Sequence, residues 1–81
     1  MSESILEVVR DAFVEVRGMN PDEVVPEASL VDDLGVDSLD AIEIILALET
    51  HYDKEFDGED LSNIKTVGDV VSIVENILGQ N

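Results

Sequence analysis

Leu34-Gly35-Val36-Asp37-Ser38-Leu39-Asp40-Ala41-Ile42-Glu43-Ile44-Ile45-Leu46-Ala47-Leu48-Glu49 sets a turn directly in front of the most informative helix of this chain. Gly35 supplies turn chemistry, Asp37 suits the capping position, and residues 38 to 52 then carry apolar side chains in two stripes instead of one. Ala41, Ile44, Ile45, Leu48 and Tyr52 follow the three-and-four spacing of a core-facing side. Leu39, Ile42 and Leu46 form a second stripe, and Asp40, Glu43, Thr50 and Lys54 hold the polar strip that remains. A helix that is apolar nearly all round is either wholly buried or meets a partner. A chain of 81 residues can hardly bury one helix completely, so the second stripe is expected to be exposed. The alternative is that the long loop before it covers that stripe.

Upstream, Ile5, Leu6, Val8, Val9, Ala12, Phe13 and Val16 predict a first helix with one buried face. Ser4 and Glu7 fit a capping box at its start, and Gly18 ends it in the left-handed conformation. From Met19 to Val36 the periodicity fails, and Asn20-Pro21, Pro26, Ser29 and Gly35 read as a long loop. Val24, Val25, Leu30, Val31 and Leu34 recur through it and suggest a loop pinned across the bundle, while Asn20-Pro21 also suits the start of a single helical turn. Downstream, Asp57-Gly58 reads as a turn and Glu59 to Asn63 as a short helical turn. Thr66 and Asp69 form a second capping box, after which Val67, Val70, Val71, Val74, Ile77 and Leu78 give one buried face before Gly79. The expected fold is all-α: a small four-helix bundle, three helices long and one short, with a long loop between the first and second helices and residues 1–81 in one domain.

Composition removes several functions. Acidic residues number 20 against 4 basic ones, a formal charge of -16, which repels a phosphate backbone and excludes nucleic acid as a partner. With 44% hydrophobic residues the chain has enough apolar surface to fold, unlike a disordered acidic tail. It has no cysteine, so disulfides, thiolate nucleophiles and cysteine metal sites are out. The start, Met1-Ser2-Glu3-Ser4, lacks a basic export-type segment, and the apolar run Ile44 to Leu48 is far shorter than the roughly 20 residues of a membrane span. A cytoplasmic monomer is expected.

Ser38 is the candidate for chemistry. With Asp37 as cap, Ser38 becomes the first residue inside the helix, its hydroxyl at the positive end of the helix dipole, where a phosphate is favoured. On the residues alone the ordinary reading, a serine that merely competes with Asp37 as cap, comes first. A nucleophile paired with His51, the only histidine, fails on distance: thirteen residues along one helix is roughly 20 Å, far beyond hydrogen-bond reach. No catalytic residue is therefore assigned. Asp53, Glu55, Asp57 and Gly58 occupy positions one, three, five and six of an EF-hand loop, but Leu61 and Ile64 stand at positions nine and twelve. An acidic calcium-binding interaction module is the alternative from another functional class, although no dedicated metal ligands are assigned.

Leu34-Gly35-Val36-Asp37-Ser38-Leu39-Asp40, continued by Ile42-Glu43, resembles the modification site of acyl carrier proteins of the freestanding bacterial type. The resemblance extends through Ala28-Ser29-Leu30-Val31-Asp32-Asp33-Leu34, Ala47-Leu48-Glu49 and Lys65-Thr66-Val67, nearly the whole chain. It implies that Ser38 carries a 4'-phosphopantetheine arm, added from coenzyme A by a phosphopantetheinyl transferase, and that acyl groups travel as thioesters on its thiol. A protein without cysteine would then obtain its thiol from the cofactor. The resemblance further implies that Leu39, Ile42 and Leu46 contact the transferase and acyl-handling enzymes, with Asp37, Asp40, Glu43 and Glu49 meeting basic patches on them. Ile44, Ile45, Leu48, Val70, Val74 and Leu34 are candidate lining for a sheltered acyl chain, and equally plain core. Phe56-Asp57-Gly58 and Thr50-His51-Tyr52 depart from the family's usual Ile-Pro pair and acidic run. Fatty acid synthesis is the expected pathway, with a carrier for polyketide, lipid-modifying or aminoacyl transfer as the same-fold alternative.

A surplus of sixteen negative charges destabilises the compact state by self-repulsion. Raising sodium chloride from about 10 mM to about 0.5 M, or adding magnesium, is expected to raise the melting temperature. A calorimetric salt series with an unchanged midpoint contradicts this.

Overall fold

Ser4 opens α1 (Ile5–Arg17) by accepting the Glu7 backbone N–H on its hydroxyl at 3.1 Å. The Glu7 carboxylate accepts from that same hydroxyl at 3.0 Å, so the two side chains meet each other in place of a reciprocal capping box. Gly18, with φ at 68°, closes the helix in the left-handed region by donating its N–H to Val14. The computed structural model describes residues 4–56 and 64–79. Among them are α1, a 3₁₀ turn (Pro21–Glu23), α2 (Ser38–Tyr52) and α3 (Val67–Leu78), with no strand. The all-helical expectation holds, and so does the single turn after Asn20, whose Oδ1 accepts the Asp22 N–H at 2.9 Å. The short helix expected over 59–63 lies outside the described residues.

The long helices bury the stripes their spacing marks. Val8, Val9, Ala12 and Phe13 of α1 pack with Ile44, Ile45 and Leu48 of α2 and with Val67, Val70, Val74 and Ile77 of α3 in one core. Burying an aliphatic side chain of this size stabilises by about 1.5–3 kcal/mol, which outweighs the reluctance of β-branched valines to be helical in α3. α1 packs against both partners, and no Cα of α2 lies within 8 Å of one in α3. Both nonetheless contribute side chains to the same core.

The loop from Met19 to Asp37 is pinned as expected by Val24 and Leu30, with Val25 and Leu34 packed against the core; Ala28 and Val36 join them, and Val31 does not. Val24, Ala28, Leu30 and Val36 are buried, Val25 and Leu34 are half-buried, and Val31 is 70% exposed. The backbone explains the reversal at 30 and 31. Leu30 donates its N–H to the Lys65 carbonyl at 2.9 Å, and Val67 donates to the Ala28 carbonyl at 3.1 Å. Ser29 and Thr66 thus form a single antiparallel bridge, and in that extended geometry neighbouring side chains point to opposite sides. Gly68 belongs to the same zipper. Its N–H reaches the Pro26 carbonyl at 2.9 Å, and a Cβ there would sit 3.1 Å from that oxygen, so only glycine permits the approach without a shift.

Thr66 and Asp69 form a full capping box at the start of α3. The backbone N–H of Lys65, then that of Thr66, hold the Asp69 carboxyl below the usual carboxylate value of 3.8. A carboxyl with a depressed folded-state pKa contributes stability above its unfolded value, and that stability is lost as pH falls through the folded pKa. The melting temperature of Asp69→Asn should therefore lie below wild type by roughly 4 °C at neutral pH, with the gap closing as the pH falls below the usual carboxylate value and through the folded-state pKa. Melting curves across that range check it, and a gap that persists in acid excludes this linkage.

Candidate functional site

Val36 fixes the approach to α2. Its side chain is 2% exposed and its N–H donates to the Leu30 carbonyl at 2.6 Å, which anchors the chain one residue before the helix cap. Gly35 takes φ of 65° to make this turn, a conformation that disfavours residues with a side chain. Asp37 then caps α2 through Oδ1, which accepts the Asp40 N–H at 2.9 Å, and Asp40 Oδ2 accepts the Asp37 N–H at 3.4 Å. This reciprocal box makes Asp40 part of the helix start as well as a surface carboxylate. The Asp40 N–H is the main cause holding the Asp37 carboxyl below its usual range, so Asp37 is ionised at neutral pH.

Ser38 follows as the first helical residue and is exposed. Its hydroxyl makes no hydrogen bond among the described residues, since Asp37 has taken the capping role. One expectation is altered here. The donors that would favour a phosphate at this helix start are partly occupied, because Asp37 already accepts from Asp40. What the position offers is accessibility. Arg17, the last residue of α1, closes the site from the other side: Nη1 lies 3.3 Å from Asp40 Oδ2, and Nη2 donates to the Gly35 carbonyl at 3.4 Å.

An apolar cavity of about 400 Å³ adjoins the serine. Leu30, Val31, Val36, Ala41, Ile42, Ile45 and Ile64 line it, with Asp37 and Ser38 as its polar members. Of the six residues first considered as acyl lining, only Ile45 is among them. Ile44, Leu48, Val70 and Val74 are solid core, and Leu34 is half-buried against it. Half of the missed lining, Leu30, Val31 and Val36, comes from the loop, where no periodicity marks which side chains turn inward. The adjacency of buried Val36 to the Asp-Ser pair was the one available signal.

The second stripe of α2 is exposed: Leu39 by 71%, Ile42 by 47% and Leu46 by 54%. The loop does not cover it. Asp37 and Glu43 flank this stripe as exposed residues, Asp37 with one carboxylate oxygen in the helix cap, and the side chains of the other two acidic candidates are also engaged. Asp40 pairs with Arg17, and Glu49 Oε2 accepts the Phe56 N–H at 2.7 Å, tying the chain that follows α2 back onto the helix. His51 sits at the far end of α2, its ring edge-on to Tyr52 at 4.9 Å, remote in sequence from Ser38. Among the described residues no cluster of three or more His, Asp or Glu side chains is placed to hold a metal, and no helix is long and apolar enough to cross a membrane. Asp57, Gly58 and Leu61 of the EF-hand pattern lie outside the described residues.

The profile of the phosphopantetheine attachment site matches residues 7–74 of the chain. The chain is also similar to the acyl carrier protein of Bdellovibrio bacteriovorus, at 49% identity over 67 residues, covering 83% of this chain and 86% of that protein.

Exposure along α2 separates two kinds of leucine two residues apart. Leu46→Glu is expected to leave helix content and melting temperature near wild type, while Leu48→Ala destabilises by about 2–5 kcal/mol. Circular dichroism with urea titration measures both, and unfolding of Leu46→Glu would place the second stripe in the core.

Proposed function

The chain belongs to the acyl carrier protein family, with 4'-phosphopantetheine as its prosthetic group, and from that premise we propose that Ser38 is the residue to which the arm is attached. The observation that carries this assignment is an exposed, unbonded hydroxyl at the first position of α2, beside an apolar cavity. The residues present fit the group: the hydroxyl is open to a modifying enzyme, and the neighbouring wall is apolar, as a chain-bearing arm requires. In loading, the Ser38 Oγ forms a bond to the phosphorus of the pantetheine phosphate of coenzyme A. The pyrophosphate bond breaks, 3',5'-adenosine diphosphate leaves, and the hydroxyl proton passes to a base on the transferase.

When bound, the arm supplies the thiol that holds acyl groups as thioesters. The chain's own residues then act as address and shelter. Leu39, Ile42 and Leu46 present an apolar strip to the transferase and to acyl-handling enzymes, and Asp37 and Glu43 beside it suit basic patches on them. Asp40 and Glu49 contribute negative potential from positions held by internal contacts. Under this reading the protein is a carrier and not an enzyme, a cytoplasmic monomer that serves fatty acid synthesis. Residues 1–81 form one acyl carrier domain, read as a small four-helix bundle.

Intact-mass measurement after incubation with coenzyme A and a transferase tests the assignment. Wild type should gain one arm, Ser38→Ala none, and Leu46→Glu should gain it more slowly at subsaturating transferase. The same addition on Ser38→Ala rules the site out.

A further inference from the structure

We propose that Arg17 is a positioning residue for loading at Ser38, a two-handed clamp that holds the loop before the serine and the helix turn after it in one fixed relation. The inference rests on the reading of Ser38 as the attachment residue.

The geometry is asymmetric in a telling way. Arg17 is the last residue of α1, and its guanidinium presents two nitrogens to two different parts of the site. Nη2 donates to the carbonyl of Gly35, three residues before the serine, and Nη1 pairs with the carboxylate of Asp40, two residues after it. A planar guanidinium holds its donors at fixed relative angles, so two acceptors bound to one such group are fixed relative to each other. Asp40 Oδ2, the atom facing Arg17, also accepts the Asp37 N–H. Gly35 and Asp40 are thereby tied directly to the end of α1, and Asp37 through Asp40.

The contact adds little as a stability device. It is half exposed, at 40% for the Arg17 side chain and 18% for Asp40, and pairs of that kind contribute modestly in water. Its value lies in placement. Gly35 sits in the left-handed region, where glycine is the most permissive of residues, immediately before the segment that must present the hydroxyl. A flexible residue there needs an external restraint if the hydroxyl is to meet a reacting phosphorus in one orientation, and misplacement by about 1 Å can cost up to a hundredfold in rate. Arg17 supplies the restraint at the carbonyl of that glycine. With 4 basic residues against 20 acidic ones, a cation at this point also offsets the repulsion between Asp37 and Asp40.

The test is transferase-catalysed loading of the unmodified full chain, with kcat and KM for the carrier determined separately, for wild type, Arg17→Ala and Arg17→Lys, alongside Ser38→Ala. The clamp predicts that Arg17→Ala lowers kcat about tenfold with little change in KM and little change in melting temperature. Arg17→Lys keeps the charge without the planar fork, and it should recover only part of the loss. Amide exchange in the unmodified protein should quicken at Asp37 and Asp40 in Arg17→Ala while the core of α1 and α3 stays protected. An unchanged kcat, an effect confined to KM, or full recovery by lysine overturns the clamp. Failure of the attachment reading looks different: wild type gains no arm, or Ser38→Ala gains it, whatever Arg17 does, and the exchange measurement still reports on the clamp itself.

Discussion

Two hydrogen bonds exchanged between Asp37 and Asp40 decide where α2 begins, and with it the direction in which every later side chain of that helix points. Successive residues turn by about 100° around a helix axis, so the starting point and the seat of the helix together fix its phase. With Asp37 outside and Ser38 first inside, Ile44, Ile45 and Leu48 fall on the core, and Leu39, Ile42 and Leu46 fall in water. A one-residue shift of the chain along this seat would carry each of these about 100° around the axis. Buried Val36 guards against that displacement, because its side chain and its bond to Leu30 hold the residue before the cap in place.

The distribution of cations serves the same end. Of the four basic residues, both arginines lie on α1 and both reach the long loop: Arg10 Nε donates to the Val24 carbonyl at 3.3 Å, and Arg17 reaches Gly35 and Asp40. The loop is therefore fastened from two sides, by arginines of α1 and by the backbone zipper with the segment before α3. Both arginines are used for internal ties, and the surface, with only two lysines besides, keeps its negative potential. A strongly acidic protein can in this way stay folded while offering basic partners an almost unopposed field.

Much of this was readable in the residues. Ser4, Asp37, Thr66 and Gly18 mark helix ends because short polar side chains and glycine satisfy the orphaned backbone groups there. The two stripes of α2 also came through, since burial of one and exposure of the other follow from the size of the domain. The loop was harder. Nothing in a sequence without period distinguishes Leu30, which turns inward, from Val31, which turns out; the backbone pairing with Lys65 and Val67 decides it. The same gap hid the cavity lining, four of whose members are Leu30, Val31, Val36 and Ile64. Asp40 and Glu49 read as surface charge because their partners, Arg17 and the Phe56 N–H, are separated from them in the chain by a loop or by the end of the helix.

Ile42 joins the two apolar features of the site. It is exposed as part of the stripe and at the same time lines the cavity beside Ser38, as does Val31 from the loop. The strip that meets solvent and the wall that adjoins Ser38 are therefore one continuous apolar surface. A body that covers Ile42 on the stripe also touches the cavity wall, which couples apolar contact along α2 to the environment next to Ser38. The absence of close backbone approach between α2 and α3 points the same way. Among the described helices α2 has its close backbone approach to α1, and it shares one core with α3 through side chains, which adjust more readily than backbone when a neighbouring surface is covered.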